Sequence, residues 1–89
     1  SKGATDAFTL GLAREVGAEG IRVNAVRPGL IDTELHAAAG APDRLTRLMS
    51  GVPMGRAGSA EEVAETILWL AGPQSSYVSG ALVDVSGAR

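Results

Sequence analysis

The residues best suited to chemistry lie just beyond the apolar, β-branched run Ile21–Val26, in Pro28-Gly29-Leu30-Ile31-Asp32-Thr33. A turn at the carboxyl end of a strand in an α/β sheet can present backbone N–H and C=O groups to a ligand. Pro28 lacks an N–H and Gly29 can take dihedrals other residues avoid, so the pair is expected to interrupt the strand. Thr33 is placed to cap a following helix, and Asp32 and Glu34 suit the positive end of its dipole. His36, the sole histidine, is either solvated or a substrate contact. Glu34, Leu35 and Met49 are further candidates to line a substrate pocket. Lys2, read by itself, is an ordinary exposed helix lysine. No carboxylate or histidine cluster has metal-ligand spacing, and there is no cysteine for a thiolate site.

The elements that must position these residues can be read from periodicity. Ala4, Ala7, Phe8, Gly11, Leu12 and Val16 recur at helical spacing, which predicts a helix over 3–18 ended by Glu19-Gly20. Ile21–Val26 reads as a strand, with Asn24 tying neighbouring backbone segments together. Leu30–Gly58 is less regular. Short helices are expected over 33–39 and 43–49, and the glycine content and modest apolarity are those of a mobile lid. Asp43, Arg44 and Arg47 form a solvated face. Ser59 and Glu62 make a capping box for the clearest helix, 59–71. Its apolar stripe is Ala60, Val63, Ala64, Ile67, Leu68 and Ala71. Trp69 is either a core residue at the edge of that stripe or a subunit contact. Ala81–Val85 reads as a final strand. The order α, β, irregular, α, β is the rhythm of half an α/β sheet. Two strands are fewer than a stable sheet normally needs, so further strands from elsewhere are expected to complete it.

Composition narrows the function classes. Forty-five per cent hydrophobic residues over 89 positions indicate one small folded domain. A formal charge of −2 leaves no basic footprint for nucleic acid. No stretch has the length and apolarity of a bilayer span, and a cytoplasmic protein is the default expectation. The chain opens on Ser1, straight into a helical pattern, which leads us to expect a fragment or a cleavage product.

Four segments together carry a family resemblance: Ser1-Lys-Gly-Ala4, Ile21-Arg-Val-Asn-Ala-Val-Arg-Pro-Gly29, Pro53-Met-Gly-Arg-Ala-Gly-Ser-Ala-Glu-Glu-Val63 and Ser76-Tyr-Val-Ser-Gly-Ala-Leu-Val-Asp-Val85. In order and spacing they resemble the C-terminal part of a short-chain dehydrogenase/reductase, across essentially the whole chain. The wording around the lid and last helix is most similar to glucose 1-dehydrogenase-like members. The resemblance implies the C-terminal portion of a Rossmann-type doubly wound parallel sheet that binds NAD or NADP. It further implies a small-molecule alcohol or carbonyl substrate and assembly as a dimer or tetramer.

Site roles follow from the same resemblance. Lys2 matches the lysine of the family's Tyr-x-x-x-Lys motif, whose tyrosine would stand four residues earlier, before Ser1. The Gly-rich phosphate loop would also lie upstream. Residues four apart on a helix share a face, and an ammonium beside a phenol lowers its pKa. The lysine is catalytic and also holds the cofactor ribose. Pro28, Gly29, Ile31 and Thr33 match the nicotinamide-binding turn, with the Ile31 backbone on the carboxamide and the Thr33 hydroxyl nearby. The implied reaction is hydride transfer between an alcohol or sugar hydroxyl and a carbonyl. The alternatives are a 3-oxoacyl reductase and a catalytically incomplete fragment that serves only in assembly. The family's last strand often ends in an acidic residue followed by two glycines, whereas here the chain reads Val85-Ser-Gly-Ala-Arg89.

Overall fold

The computed structural model describes residues 2–33, 40 and 42–89, the side chains of Lys2, Pro42 and Leu45 excepted. In chain order it contains α1 (Lys2–Val16), a 3-10 turn (Gly17–Glu19), β1 (Ala25–Pro28), α2 (Pro42–Ser50), α3 (Ala60–Ala71), a second 3-10 turn (Pro73–Ser75) and β2 (Leu82–Val85). The arrangement is α/β. β1 and β2 are parallel, with Ala25 opposite Leu82 and Pro28 opposite Val85. Parallel neighbours need a crossover, and α3 lies in the connection between them.

The helix ends follow local chemistry. Gly20 takes a left-handed φ of 77° and donates its N–H to Gly17 O at 3.1 Å, which stops the first helical run where a glycine was expected to stop it. The Ser59–Glu62 capping box forms in both directions at the start of α3.

The first strand runs later than its sequence pattern suggests, over Ala25–Pro28 rather than 21–26, and it includes the proline. Ala25 N–H donates to Ala81 O and Gly29 N–H to Val85 O, both at 2.9 Å. By strand alternation the missing N–H of Pro28 faces away from β2. Proline therefore removes no bond from this ladder and does not interrupt it. Residues 21–24 stay outside the ladder, because side chains take up part of their bonding. Val23 N–H donates to Ser79 Oγ at 3.0 Å.

Both long helices bury a different face from the expected one. On α3 Leu70 is buried, while Leu68 is 70% exposed and Ile67 and Trp69 are about half exposed. On α1 Thr9 and Ala13 are buried and Phe8 is 69% exposed. A sheet of two strands covers only a narrow strip of each helix, and among the described residues no further layer covers the wider apolar stripes. The accessible surface, 6065 Å², exceeds by roughly a quarter the value of about 4,900 Å² for a compact chain of this mass. The radius of gyration, 15.7 Å, likewise exceeds the value of about 12 Å for a compact chain of this length.

Candidate nicotinamide-binding turn

Glycines let neighbouring segments approach the turn after β1 closely. A Cβ on Gly29 would lie 2.8 Å from Ser86 Cβ and 2.9 Å from Ser86 Cα. The glycine is thus required by the segment after β2, a requirement that the sequence did not reveal. Beyond it Leu30 and Ile31 are buried. Ile31 forms an isolated parallel bridge with Gly58. Gly58 N–H donates to Leu30 O at 2.9 Å, and Asp32 N–H donates to Gly58 O at 2.8 Å. In that pattern the N–H and C=O of Ile31 itself turn away from Gly58. Among the described residues the Ile31 N–H has no partner, while its C=O, just before the helical Asp32, is placed to accept the first intrahelical bond. Asp32 and Thr33 are already helical, so Thr33 is not the N-cap; it is exposed within the first turn.

Residues 51–58, expected to belong to a mobile lid, are pinned at several points. Val52 is buried, Met54 N–H donates to Gly87 O at 3.1 Å, and Gly58 carries the bridge just described. Arg56 closes the segment onto α3 with two hydrogen bonds to the Glu62 carboxylate, at 2.8 and 2.9 Å. Those bonds, and then the Ser59 N–H, hold the Glu62 carboxyl at about 2, below its ordinary 4.5.

Further tethers fix the helices and strand ends around the turn. Arg27 on β1 forks onto Asp84 of β2 at 2.8 and 3.1 Å and reaches Asp6 of α1 at 3.0 Å. Asp84 is the main cause, with Asp6, of a guanidinium pKa raised above its usual value. Asp6 lies one helical turn after Lys2, so this contact draws the start of α1 towards the carboxyl end of β1. At the opposite end of the strands, Asn24 donates to Val78 O and accepts from Ala81 N–H, both at 3.0 Å. This is the tying role that the sequence suggested. Arg22 donates to the carbonyls of Leu70, Gly72 and Ser75 at 2.8–3.0 Å and binds Ser75 Oγ at 3.0 Å. The sequence reading missed Arg22, Arg27 and Arg56; the signal was a charged residue inside or beside an apolar run.

Pro28 ends β1, Gly29 and Ile31 lie in the connection that follows, and Thr33 is in the first helical turn beyond it. Lys2 is the first residue of α1. Met49 is half-buried near the end of α2, where its carbonyl accepts from Val52 N–H at 3.1 Å. Glu34, Leu35 and His36, and the expected helix over 33–39, lie outside the described residues. Asp43, Arg44 and Arg47 are exposed, as expected of a solvated face. A cavity of about 280 Å³ adjoins the turn through Gly58 and Ser86, lined also by Arg56, Glu62 and Asp84; none of the predicted site residues lines it. Among the described residues no helix is long and apolar enough to cross a membrane, and no group of acidic or histidine side chains could hold a metal ion.

A family model described as enoyl-(acyl carrier protein) reductase matches residues 1–87. The chain belongs to the short-chain dehydrogenase/reductase family. Within this family it is similar to the uncharacterized oxidoreductase YgfF of Escherichia coli (strain K12), 54% identical over 89 residues, covering 100% of this chain and 36% of that protein. It is 47% identical to a glucose and ribitol dehydrogenase homolog of Oryza sativa subsp. japonica, over 98% of this chain and 29% of that protein. Among solved structures, a 3-oxoacyl-(acyl-carrier protein) reductase from Brucella melitensis superposes with a TM-score of 0.89 at 44% identity, over 98% of this chain and 32% of that one. A putative 2-deoxy-d-gluconate 3-dehydrogenase from Agrobacterium tumefaciens with bound NADP gives 0.84 at 34% identity, over 92% and 34% of the two chains. A second Brucella melitensis 3-oxoacyl reductase, with bound NAD, gives 0.82 at 41% identity, over 98% and 30%. The fold is therefore the Rossmann type of short-chain dehydrogenases/reductases. The chain spans about a third of the length of the relatives it matches, from 29% to 36%.

Proposed function

We propose that residues 1–89 are the C-terminal segment of a single Rossmann-type dehydrogenase domain. The intact protein would be an NAD(P)-dependent oxidoreductase interconverting a secondary alcohol or sugar hydroxyl with a carbonyl. The observation that carries this reading is the Ile31 peptide, which turns its N–H and C=O away from its bridge partner at the carboxyl end of a parallel strand. That donor and acceptor fit a carboxamide, so the residues present suit the nicotinamide end of the cofactor. Ile31 would hold the carboxamide and Thr33 would add a hydroxyl beside it, while Pro28 and Gly29 shape the turn. When bound, the nicotinamide supplies or accepts the hydride. Lys2 would hold the ribose hydroxyls and lower the pKa of the motif tyrosine carried by preceding sequence, making that phenol a usable acid and base. Glu34, Leu35, His36 and Met49 are the proposed substrate-side residues.

A second reading, a 3-oxoacyl reductase, is favoured by the names of the two Brucella relatives. The sugar reading draws on the Oryza and Agrobacterium names. A cytoplasmic homo-oligomer belongs to the same proposal, with the exposed Trp69 of α3 as a candidate subunit contact. The test uses the full-length protein. Cofactor binding is followed by NADH and NADPH fluorescence, and turnover is compared on an acetoacetyl thioester and on glucose. Lys2→Met is expected to lower turnover by about a hundredfold or more. Near-normal turnover would remove the role of Lys2, and a protein that binds neither cofactor would remove the whole reading.

A further inference from the structure

The Ile31 peptide can meet a cofactor only if something fixes its height and tilt, and the groups that do so come from outside the turn. The two hydrogen bonds between Gly58 and the residues flanking Ile31 make the position of Ile31 follow that of Gly58. The packing is close on this side as well: a Cβ on Gly58 would lie 3.3 Å from Ile31 Cδ1 and 3.9 Å from Glu62 Oε1. Gly58 in turn stands between two residues held by one carboxylate. Glu62 Oε1 accepts from Ser59 N–H at 2.9 Å and from Arg56 at 2.8 Å, and Oε2 accepts from Arg56 at 2.9 Å. The far end of the same segment is anchored by Met54 N–H on Gly87 O at 3.1 Å.

We infer that Glu62 is a positioning residue for the cofactor-facing peptide at Ile31, acting through Arg56, Ser59 and Gly58. This rests on the nicotinamide reading proposed above. It gives the helix cap a task beyond starting α3, because the carboxylate spans the glycine that carries the bridge. A carboxylate suits that task better than an amide. A glutamine can still accept from Ser59 N–H, but its single carbonyl oxygen then has one lone pair left for the two Arg56 nitrogens.

The test uses full-length protein and three readouts: NADH and NADPH affinity by fluorescence titration, amide exchange at Asp32 without cofactor, and melting temperature. Glu62→Ala is expected to weaken cofactor binding by about five- to tenfold, an effect the size of one ordinary hydrogen bond, and to speed exchange of the Asp32 N–H. Glu62→Gln should fall between Glu62→Ala and the wild type. Ser75→Ala, in the cluster at the other end of the strands, should lower the melting temperature without either effect. Unchanged affinity and Asp32 exchange in Glu62→Ala would overturn the role. So would changes no larger than those of Ser75→Ala at matched melting temperature. If the wild type binds neither cofactor, the proposed function falls and this role falls with it. If the wild type binds and Glu62→Ala binds equally, only the role falls.

Discussion

The two ends of the parallel pair are built differently. At the amino end, side chains satisfy backbone: Arg22 gathers the carbonyls that close α3, Asn24 bridges Val78 and Ala81, and Ser75 is 1% exposed. At the carboxyl end, main-chain hydrogen bonds through Gly29, Gly58 and Gly87 join the segments, and the Ile31 N–H turns away from Gly58. The first end ties up several carbonyls with side chains, and the second leaves the Ile31 N–H without a partner among the described residues. Open α/β sheets bind ligands at the carboxyl ends of their strands, and this division of labour is a local reason. Side chains bond to backbone at one end, whereas at the other the arginines Arg27 and Arg56 pair with carboxylates and the main chain bonds to itself.

The strongest way to break the comparison is Arg22→Ala. It orphans several carbonyls at the amino end and is expected to cost about 3 kcal/mol. Chemical denaturation of the full-length protein should show that loss with cofactor affinity unchanged in the folded fraction. An equal loss of cofactor affinity would show that the two ends are not separable. Thr33→Ala tests the other end. It should weaken cofactor binding several-fold, about 1 kcal/mol, while stability stays within about 0.5 kcal/mol because the residue is exposed. Calorimetric titration and thermal melting on one sample measure both.

A smaller effect is expected at the end of the chain. Gly87 and Ala88 have φ of 63° and 75°, in a turn closed by Arg89 N–H on Ser86 O at 3.3 Å. Two positive φ values suit a turn that prefers glycine in its second central position, where this chain has alanine. Ala88→Gly should therefore stabilise the protein, by about 0.5–1 kcal/mol once the added chain entropy is set against the relieved strain. A lower denaturation midpoint would contradict the strained geometry. The smallest effect concerns pH. Glu62 has a depressed carboxyl pKa, so its contribution is fully present above the unfolded value near 4.5 and is lost as pH falls through about 2. The stability gap between wild type and Glu62→Gln should be constant at neutral pH and close between those two values. A gap that persists at pH 2 would separate Glu62 from its ion pair with Arg56.

Much of the architecture was legible in the residues. The capping box at Ser59 and Glu62, the stop at Gly20 and the tying role of Asn24 all rest on local chemistry within a few residues or on one amide side chain. The turn at 28–33 could be found because Pro-Gly after a β-branched run is a local signal too. The predicted burial stripes did not match the structure, because periodicity identifies an apolar face but not the layer that covers it. The strand boundary shifted for a related reason. Pro28 is tolerated because its missing N–H points away from β2, and only the pairing decides that direction.

Sequence alone determined the α/β alternation, the family and the candidate residues, since these depend on residue type and short spacing. The tertiary structure decided which contacts hold them. Gly29 is small because Ser86 lies against it, and the Ile31 peptide is held by Gly58, twenty-seven positions further on. Segments 52–58 and 86–89 meet the turn only when the parallel pair brings the carboxyl ends of β1 and β2 side by side. Contacts of that range leave no period or motif in a sequence, because they are set by how the elements pack and not by what precedes or follows each residue.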